Sequence, residues 1–377
     1  MQKALEVIQE FANELPLQKF LKKYFQKYKN MGARDRRQLS ALVFNYFRYK
    51  GNRDFKNAAE VIVLSSAQDA ETEGFYKYWS QKNPSIVQID KKNLLEFSAD
   101  EYFPLFKNIS EKIDSKQFIF NHQRKPKTWI RCRDGRYSDV LSACKNHQFI
   151  YHIEGNGVLS FEKNYPLDSL KEYEKGFFEI QDIAAQKTAE LFQPKENERW
   201  WDCCAGSGGK SLLLIDEEPS ISLFTTDVRN TILKNLQARF QKVGFKNFKI
   251  QEIDITQQDA VAAIQVNDMF DGIIADVPCS GSGTWARTPE WLSFFDEKQL
   301  EEYVDLQRKI ISNVVLKLKA GKPLIYITCS VYKNENEENV RYFTENLPLQ
   351  LESEKYFQYS KEGGDTLFAA RLVKKET

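Results

Sequence analysis

Trp201-Asp202-Cys203-Cys204-Ala205-Gly206-Ser207-Gly208-Gly209-Lys210-Ser211 is the stretch on which the reading of this chain turns. A strand-like run over Arg199–Cys203 leads into a glycine-rich turn, and a helical pattern follows. That is the strand–turn–helix unit of an open α/β sheet, in which ligands collect beyond the carboxyl ends of the strands. A phosphate-cradling loop of the form G-x-x-x-x-G-K-[ST] would need its first glycine at position 204, which is Cys204. A P-loop is therefore disfavoured. A bare glycine turn without a ligand stays open for this stretch taken alone.

Outward from the loop, further strands are expected at Leu223–Asp227, Phe248–Ile253, Asp271–Asp276 and Pro323–Thr328. Helices lie between them, including a long one over Glu297–Lys319. Such alternation implies a parallel sheet with helices on both faces. Leu349–Gln358 and Thr366–Val373 have no helix between them and read as an antiparallel hairpin on the sheet edge. Asp227 closes the second strand, where a carboxylate can accept both hydroxyls of a ribose. Asp254 follows the third and is placed to meet an adenine edge. A glycine turn followed by this ordered pair of acids suits a nucleoside cofactor without a polyphosphate, which points to S-adenosylmethionine. Either acid alone would more often be a loop residue or a cap.

Two cysteine motifs follow. One is Asp276-Val277-Pro278-Cys279-Ser280-Gly281, with Arg287, Pro289 and Trp291 after it; the other is Thr328-Cys329-Ser330, with Glu335-Asn336-Glu337 after it. Each puts a thiol just past the carboxyl end of a strand, and sequential connections make those strands neighbours. A single buried Cys is usually an apolar filler; two at matching strand ends beside a cofactor crevice suggest chemistry. Carbon 5 of cytosine is a poor nucleophile, and a thiolate adding to carbon 6 turns it into an enamine-like one. Asp276 could hold the ring nitrogen N3 and the exocyclic amine. The residues alone do not rank Cys279 against Cys329.

The N-terminal part differs in character. Residues from about Leu5 to Tyr49 read as helices, with Leu39, Leu42, Val43, Tyr46 and Phe47 at helical spacing, and helical character continues to about residue 118. Residues 1–150 hold 27 Lys and Arg against 17 Asp and Glu, a surplus of +10; the remainder holds 27 against 36, or −9. A basic half joined to an acidic half suggests that the first meets a polyanion, with Lys22, Lys23, Lys27, Lys29, Arg34, Arg36 and Arg37 as its densest cluster. Near Lys125 the period changes. Thr128–Cys132 reads as a strand, Ser138–His147 as a helix, and Phe149–Phe161 as a hairpin turning at Gly155-Asn156-Gly157. Lys125, Lys127, Arg131, Arg133 and Arg136 around Trp129 would suit single-stranded nucleic acid, and a plain linker module fits equally well. The expected division is a basic helical domain over 1–120, a small α+β module over 121–175 and a catalytic domain over 176–377.

Bulk properties narrow the class. The chain has 377 residues, 42% of them hydrophobic, and no apolar run long enough to cross a bilayer. Its start lacks the apolar core of a secretory leader. Six cysteines without C-x-x-C spacing and only three histidines argue for reduced thiols in the cytoplasm and against a metal site. A monomer is expected.

Taken together, these motifs resemble the Sun-type RNA (cytosine-5) methyltransferases, a family related to nucleolar methyltransferases and including enzymes of bacterial 16S ribosomal RNA. Gly176-Phe177-Phe178-Glu179-Ile180-Gln181-Asp182 resembles the segment preceding their catalytic core, and Cys204–Lys210 their cofactor loop. The basic helices with Asp35-Arg36-Arg37 resemble an antitermination-factor-like RNA-binding domain. The resemblance implies a Rossmann-like fold and S-adenosylmethionine held by Cys204, Ala205, Gly206, Ser207, Gly208, Gly209, Lys210, Asp227, Asp254 and Asp276. It implies catalytic roles for Cys329, Cys279, Asp276 and Lys210. Cys329 is implied as the nucleophile, Cys279 as assisting product release, and RNA as the partner, ribosomal RNA before tRNA. Ala205-Gly206-Ser207 departs from the family's Ala-Ala-Pro, and Trp129–Arg133 from its Arg-Val-Asn strand. Two other readings stay open: a DNA cytosine-5 methyltransferase with Cys279 attacking, and an RNA-binding assembly factor without turnover.

Overall fold

The computed structural model describes residues 1–69, 71–82, 98–155, 157–264 and 269–376. The chain divides into two units, Met1–Lys125 with Thr284–Glu297, and Pro126–Gly283 with Lys298–Thr377. The first unit is built on α1 (Gln2–Glu10), α2 (Leu17–Lys27), α3 (Ala33–Lys50), α4 (Ala58–Ser65), α5 (Glu73–Lys82) and α6 (Ser115–His122). α3 has Asp35 in its first turn and Arg48 and Lys50 in its last, the arrangement the helix dipole favours. It buries Leu39, Leu42, Val43, Tyr46 and Phe47 along one stripe. α4 starts at Asn57, whose side chain accepts from the N–H groups of Ala59 and Glu60, and its Val61–Ser65 are all buried. Such a helix must be central to the unit. Lys22, Lys23, Lys27, Lys29, Arg34 and Arg37 remain exposed.

The expected boundaries need correcting here. Thr284–Glu297, read as part of the catalytic half, belongs with the helices. Trp285 stacks on Phe103 with centroids 5.3 Å apart, and buried Glu290 accepts the Leu17 N–H at 2.9 Å. Arg48 donates to the Ala286 carbonyl at 3.0 Å. Residues 83–97, inside the stretch expected to continue as helix, lie outside the described residues.

The second unit holds two sheets. The smaller is antiparallel, with β1 (Thr128–Cys132), β2 (His152–Gly155), β3 (Val158–Phe161) and β4 (Phe178–Ile180) in the order β2-β3-β1-β4. α7 (Tyr137–Asn146) packs Val140 and Cys144 against Ile130, Leu159 and Phe161. β4 extends this module beyond residue 175, because its backbone completes the sheet at β1. Asn156, in the expected hairpin turn, lies outside the described residues.

Of the two readings open for the residues around Trp129, the nucleic-acid surface loses Trp129, Arg131 and Arg133. Trp129 is 3% exposed and packs on Val158 and Ile183. Arg131 and Arg133 both pair with Asp216, and Arg133 also with Glu179. Residues 129, 131 and 133 share one face of the strand. That face is turned inward onto acidic and apolar partners, so it offers no stacking platform.

The larger sheet comprises β5 (Arg199–Asp202), β6 (Ser222–Asp227), β7 (Phe248–Glu252), β8 (Gly272–Asp276), β9 (Pro323–Thr328), β10 (Leu349–Gln358) and β11 (Thr366–Lys374). Its order is β10-β11-β9-β8-β5-β6-β7; β5 to β9 run parallel and the last two antiparallel. β10 alone is the edge of the hairpin, since β11 lies between it and β9. Connecting helices are α8 (Gly209–Glu217), α9 (Asn230–Lys242), α10 (Glu297–Val314) and α11 (Glu337–Asn346). α10 stops five residues short of the expected Lys319, passing into a 3-10 turn over Val315–Lys317. The chain winds outward from β5 to β7 and resumes at β8 on the other side of β5. The switch point thus falls between β5 and β8, the place in an open α/β sheet where ligands bind beyond the carboxyl ends of the strands. Among the described residues, no helix is long and apolar enough to cross a membrane.

Candidate active site

The glycine-rich turn joins β5 to α8 at that switch point. Its backbone is tied to β6: Ala205 N–H donates to the Thr226 carbonyl at 2.9 Å and Gly206 N–H to Asp227 Oδ2 at 3.0 Å. Gly208 has φ +88°, and a Cβ there would lie 3.1 Å from Leu236 Cγ, so both conformation and space call for glycine. Asp227 ends β6 as expected. Its oxygens accept from Arg229 at 2.9 and 3.1 Å, and this pairing together with the Gly206 bond keeps the carboxyl below its ordinary range against the effect of burial. The Arg229 side chain is 58% exposed, so the ion pair itself contributes little. Asp254 behaves differently. It lies beyond the end of β7, and its Oδ1 accepts from Thr256 N–H and Oγ1 at 3.0 and 2.6 Å. Those bonds close a local turn, the ordinary role of Asp at such a place.

Lys210, on the first turn of α8, reaches across to Asp276 with Nζ 3.1 Å from Oδ2. The pair joins the loop after β5 to the end of β8. Beneath it lies Asp202, the last residue of β5. This carboxyl is fully buried and bonds Ser211 Oγ at 2.6 Å, and burial above all raises it to about 7. A proton kept in the folded state but lost from the unfolded chain makes stability fall as pH rises from the ordinary carboxylate range toward 7. The slope approaches about 1.4 kcal/mol per pH unit where the difference is complete. Urea unfolding at pH 5 and pH 7.5 is expected to show this loss in the wild type and a flatter response in Asp202→Asn. Equal slopes in both proteins would refute the assignment.

The two thiols meet. β8 and β9 are paired with Asp276 opposite Ile327, and this register brings Cys279 Sγ to 3.2 Å from Cys329 Sγ. Cys329 N–H also donates to Cys279 Sγ at 3.3 Å. The hydrogen bond with Cys329 and burial push the Cys279 thiol well above its ordinary pKa. Either sulfur could be the donor in this contact. Both side chains keep partial exposure, as a reaction with an entering base requires.

A buried polar frame holds the two cysteine loops together. Glu335, with no exposure, accepts from Ser280 N–H at 2.9 Å, Ser280 Oγ at 2.6 Å and Gln307 Nε2 at 2.8 Å. Gln307 also donates to the Pro278 carbonyl at 2.9 Å, and Tyr326 OH donates to the Glu335 carbonyl at 2.6 Å. Ser330 Oγ lies 3.1 and 3.2 Å from the hydroxyls of Ser280 and Ser282. Gly283 N–H donates to the Cys329 carbonyl at 2.9 Å, and a Cβ on Gly283 would fall 1.9 Å from the Thr366 carbonyl oxygen. Glu335 was visible after the second cysteine motif but carried no role. Gln307 gave no signal, because its partners are 28 and 29 positions away.

The structure therefore gathers Cys279, Cys329, Asp276, Lys210 and the 204–209 loop at the carboxyl ends of β5, β8 and β9, with Asp227 at the end of β6 tied to that loop and Asp254 in its own turn. Residues 189–371 match the family model described as 16S rRNA methyltransferase RsmB/F. Ribosomal RNA small subunit methyltransferase B of Xylella fastidiosa (strain Temecula1) is 25% identical over 321 residues, covering 78% of this chain and 72% of the relative. The protein of that name from Salmonella arizonae is 28% identical over 272 residues, 68% of this chain and 61% of its own length. Among solved structures, PH0851 aligns with a TM-score of 0.74 at 19% identity, over 98% of this chain and 97% of that one. NSun6 from Pyrococcus horikoshii with SFG aligns with a TM-score of 0.62 at 17% identity, over 72% and 97%. At such identities the structural likeness is one of fold.

Proposed function

We propose that this chain, which belongs through residues 189–371 to the RsmB/F (Sun-type) methyltransferase family, methylates carbon 5 of a cytosine in ribosomal RNA. The observation carrying this reading is the approach of two sulfurs to 3.2 Å at the ends of adjacent strands. The loop is compatible with S-adenosylmethionine: Lys210 is turned onto Asp276 rather than offered to a phosphate, and Asp227 presents a carboxylate at the end of β6. Ala205, Gly206 and Asp227 would hold the nucleoside. S-adenosylmethionine, when bound, supplies the methyl group.

The chain's own groups do the rest. Cys329 Sγ adds to carbon 6 of the cytosine, forming a C–S bond and moving electron density to carbon 5. Asp276, kept in place by Lys210, faces N3 and the exocyclic amine, where charge develops during the addition. After methylation the carbon 5 proton leaves to a base, the C–S bond breaks, and the sulfur returns as a thiolate. The raised pKa of Cys279 disfavours its thiolate, which counts against the DNA-type assignment, in which the Pro-Cys thiol attacks. Exposed Lys22, Lys23, Lys27, Lys29, Arg34 and Arg37 on the helical unit suit a phosphate backbone. An unpaired cytosine in a loop or bulge can leave its stack at low cost.

Bisulfite sequencing of total RNA from cells with and without the gene tests the proposal. One or more cytosines of the small-subunit ribosomal RNA should lose their protection when the gene is absent. Identical profiles would overturn it.

A further inference from the structure

The cofactor loop is braced from a strand of the other sheet. Glu179 lies in β4 and Gln181 just beyond it; two residues apart, they project to the same side of the chain. Gln181 Nε2 donates to the Gly209 carbonyl at 3.1 Å. Glu179, 2% exposed, accepts from Arg239 Nη2 at 2.7 Å. Arg239 stands on α9, and its other amino nitrogen, Nη1, donates to Ser207 at 2.7 Å on the carbonyl and 3.2 Å on the hydroxyl. One turn earlier on α9, Leu236 meets Gly208. The turn is thus pinned at three consecutive residues, by Arg239, Leu236 and Gln181.

We propose that Arg239, anchored on buried Glu179, is a positioning residue that fixes the 204–209 loop in the shape that binds the cofactor; this rests on the S-adenosylmethionine reading above. A guanidinium suits the task because its planar fork serves two acceptors at a fixed angle, whereas a lysine ammonium is a single point charge on a flexible stem. Glu179 in turn needs a cation, since a buried carboxylate without one is strongly destabilising. Arg133, 3.5 Å away, is its second partner. Arg239→Lys should therefore keep a charge beside Glu179 and still lose the two-ended bridge.

The full-length protein is titrated with S-adenosylhomocysteine by calorimetry, and steady-state methylation of ribosomal RNA from gene-deleted cells is measured over a range of S-adenosylmethionine. Arg239→Ala and Arg239→Lys are each expected to weaken binding about ten- to a hundredfold, the loss typical of a charge-assisted bond. The KM for S-adenosylmethionine should rise in step, with kcat at saturation staying within about threefold, the pattern of lost binding rather than lost chemistry. Thermal unfolding of Arg239→Lys should match the wild type, which separates positioning from folding if the alanine variant is unstable. Wild-type affinity in a folded Arg239→Lys protein would overturn the proposal. A wild type that binds no S-adenosylhomocysteine would overturn the cofactor reading and this inference with it.

Discussion

Cys329→Ala is expected to abolish methyl transfer to RNA, with a fall on the order of 10⁴- to 10⁶-fold, the scale seen when a covalent nucleophile is removed. That corresponds to about 5–8 kcal/mol of lost transition-state stabilisation. Cys279 loses its hydrogen-bond partner in this variant but keeps its burial, which still disfavours its thiolate. The substitution should leave the fold intact. The frame around Glu335, Ser280 and Gln307 runs through side chains and carbonyls other than the Cys329 sulfur. Affinity for S-adenosylhomocysteine should also be unchanged, since the loop is tied to β6 through Ala205 and Gly206. Transfer of tritiated methyl groups to ribosomal RNA from gene-deleted cells measures the effect. Normal incorporation by the variant would remove Cys329 from the mechanism.

The catalytic sheet was readable before any coordinates, because its strands are short apolar runs punctuated by glycine, proline and acid at their carboxyl ends. Pro323–Thr328 begins and ends where the pattern placed it, and the neighbouring positions of β8 and β9 followed from their sequential order. What the pattern could not supply was the partner of each polar side chain. Trp129, Arg131 and Arg133 read equally well as an exposed nucleic-acid face or a covered one; the acids that cover the arginines, Asp216 and Glu179, are as many as 85 and 46 positions away. Thr284–Glu297 follows the Pro-Cys motif directly in sequence, yet Trp285 and Glu290 find their partners in Phe103 and Leu17. Asp202 stood in the opening stretch in full view. Its burial depends on α8 folding back over the end of β5, with Ser211 brought onto the carboxylate, and no local signal reports that.

Cys279→Ala should behave in the opposite way from the nucleophile variant: chemistry begins and does not finish. On the proposed mechanism the overall reaction releases one proton, the one carbon 5 exchanges for its methyl group. A base must take that proton before the C–S bond can break. Cys279, with its sulfur 3.2 Å from the one that must depart, can donate its S–H to that sulfur as the C–S bond breaks. The carbon 5 proton goes to the base, the Cys279 S–H stabilises the departing Cys329 thiolate, and the starting pair is restored. Without that sulfur the departing thiolate loses this donor. Turnover is expected to fall by about 10²- to 10⁴-fold, the range for loss of a general acid–base group. The diagnostic is a protein–RNA species that survives denaturing electrophoresis, builds up with S-adenosylmethionine, and is absent from the Cys279→Ala/Cys329→Ala double variant. A folded Cys279→Ala protein that turns over freely without such a species would take product release away from Cys279. The same species in the double variant would show that the bond to RNA is made by some other residue.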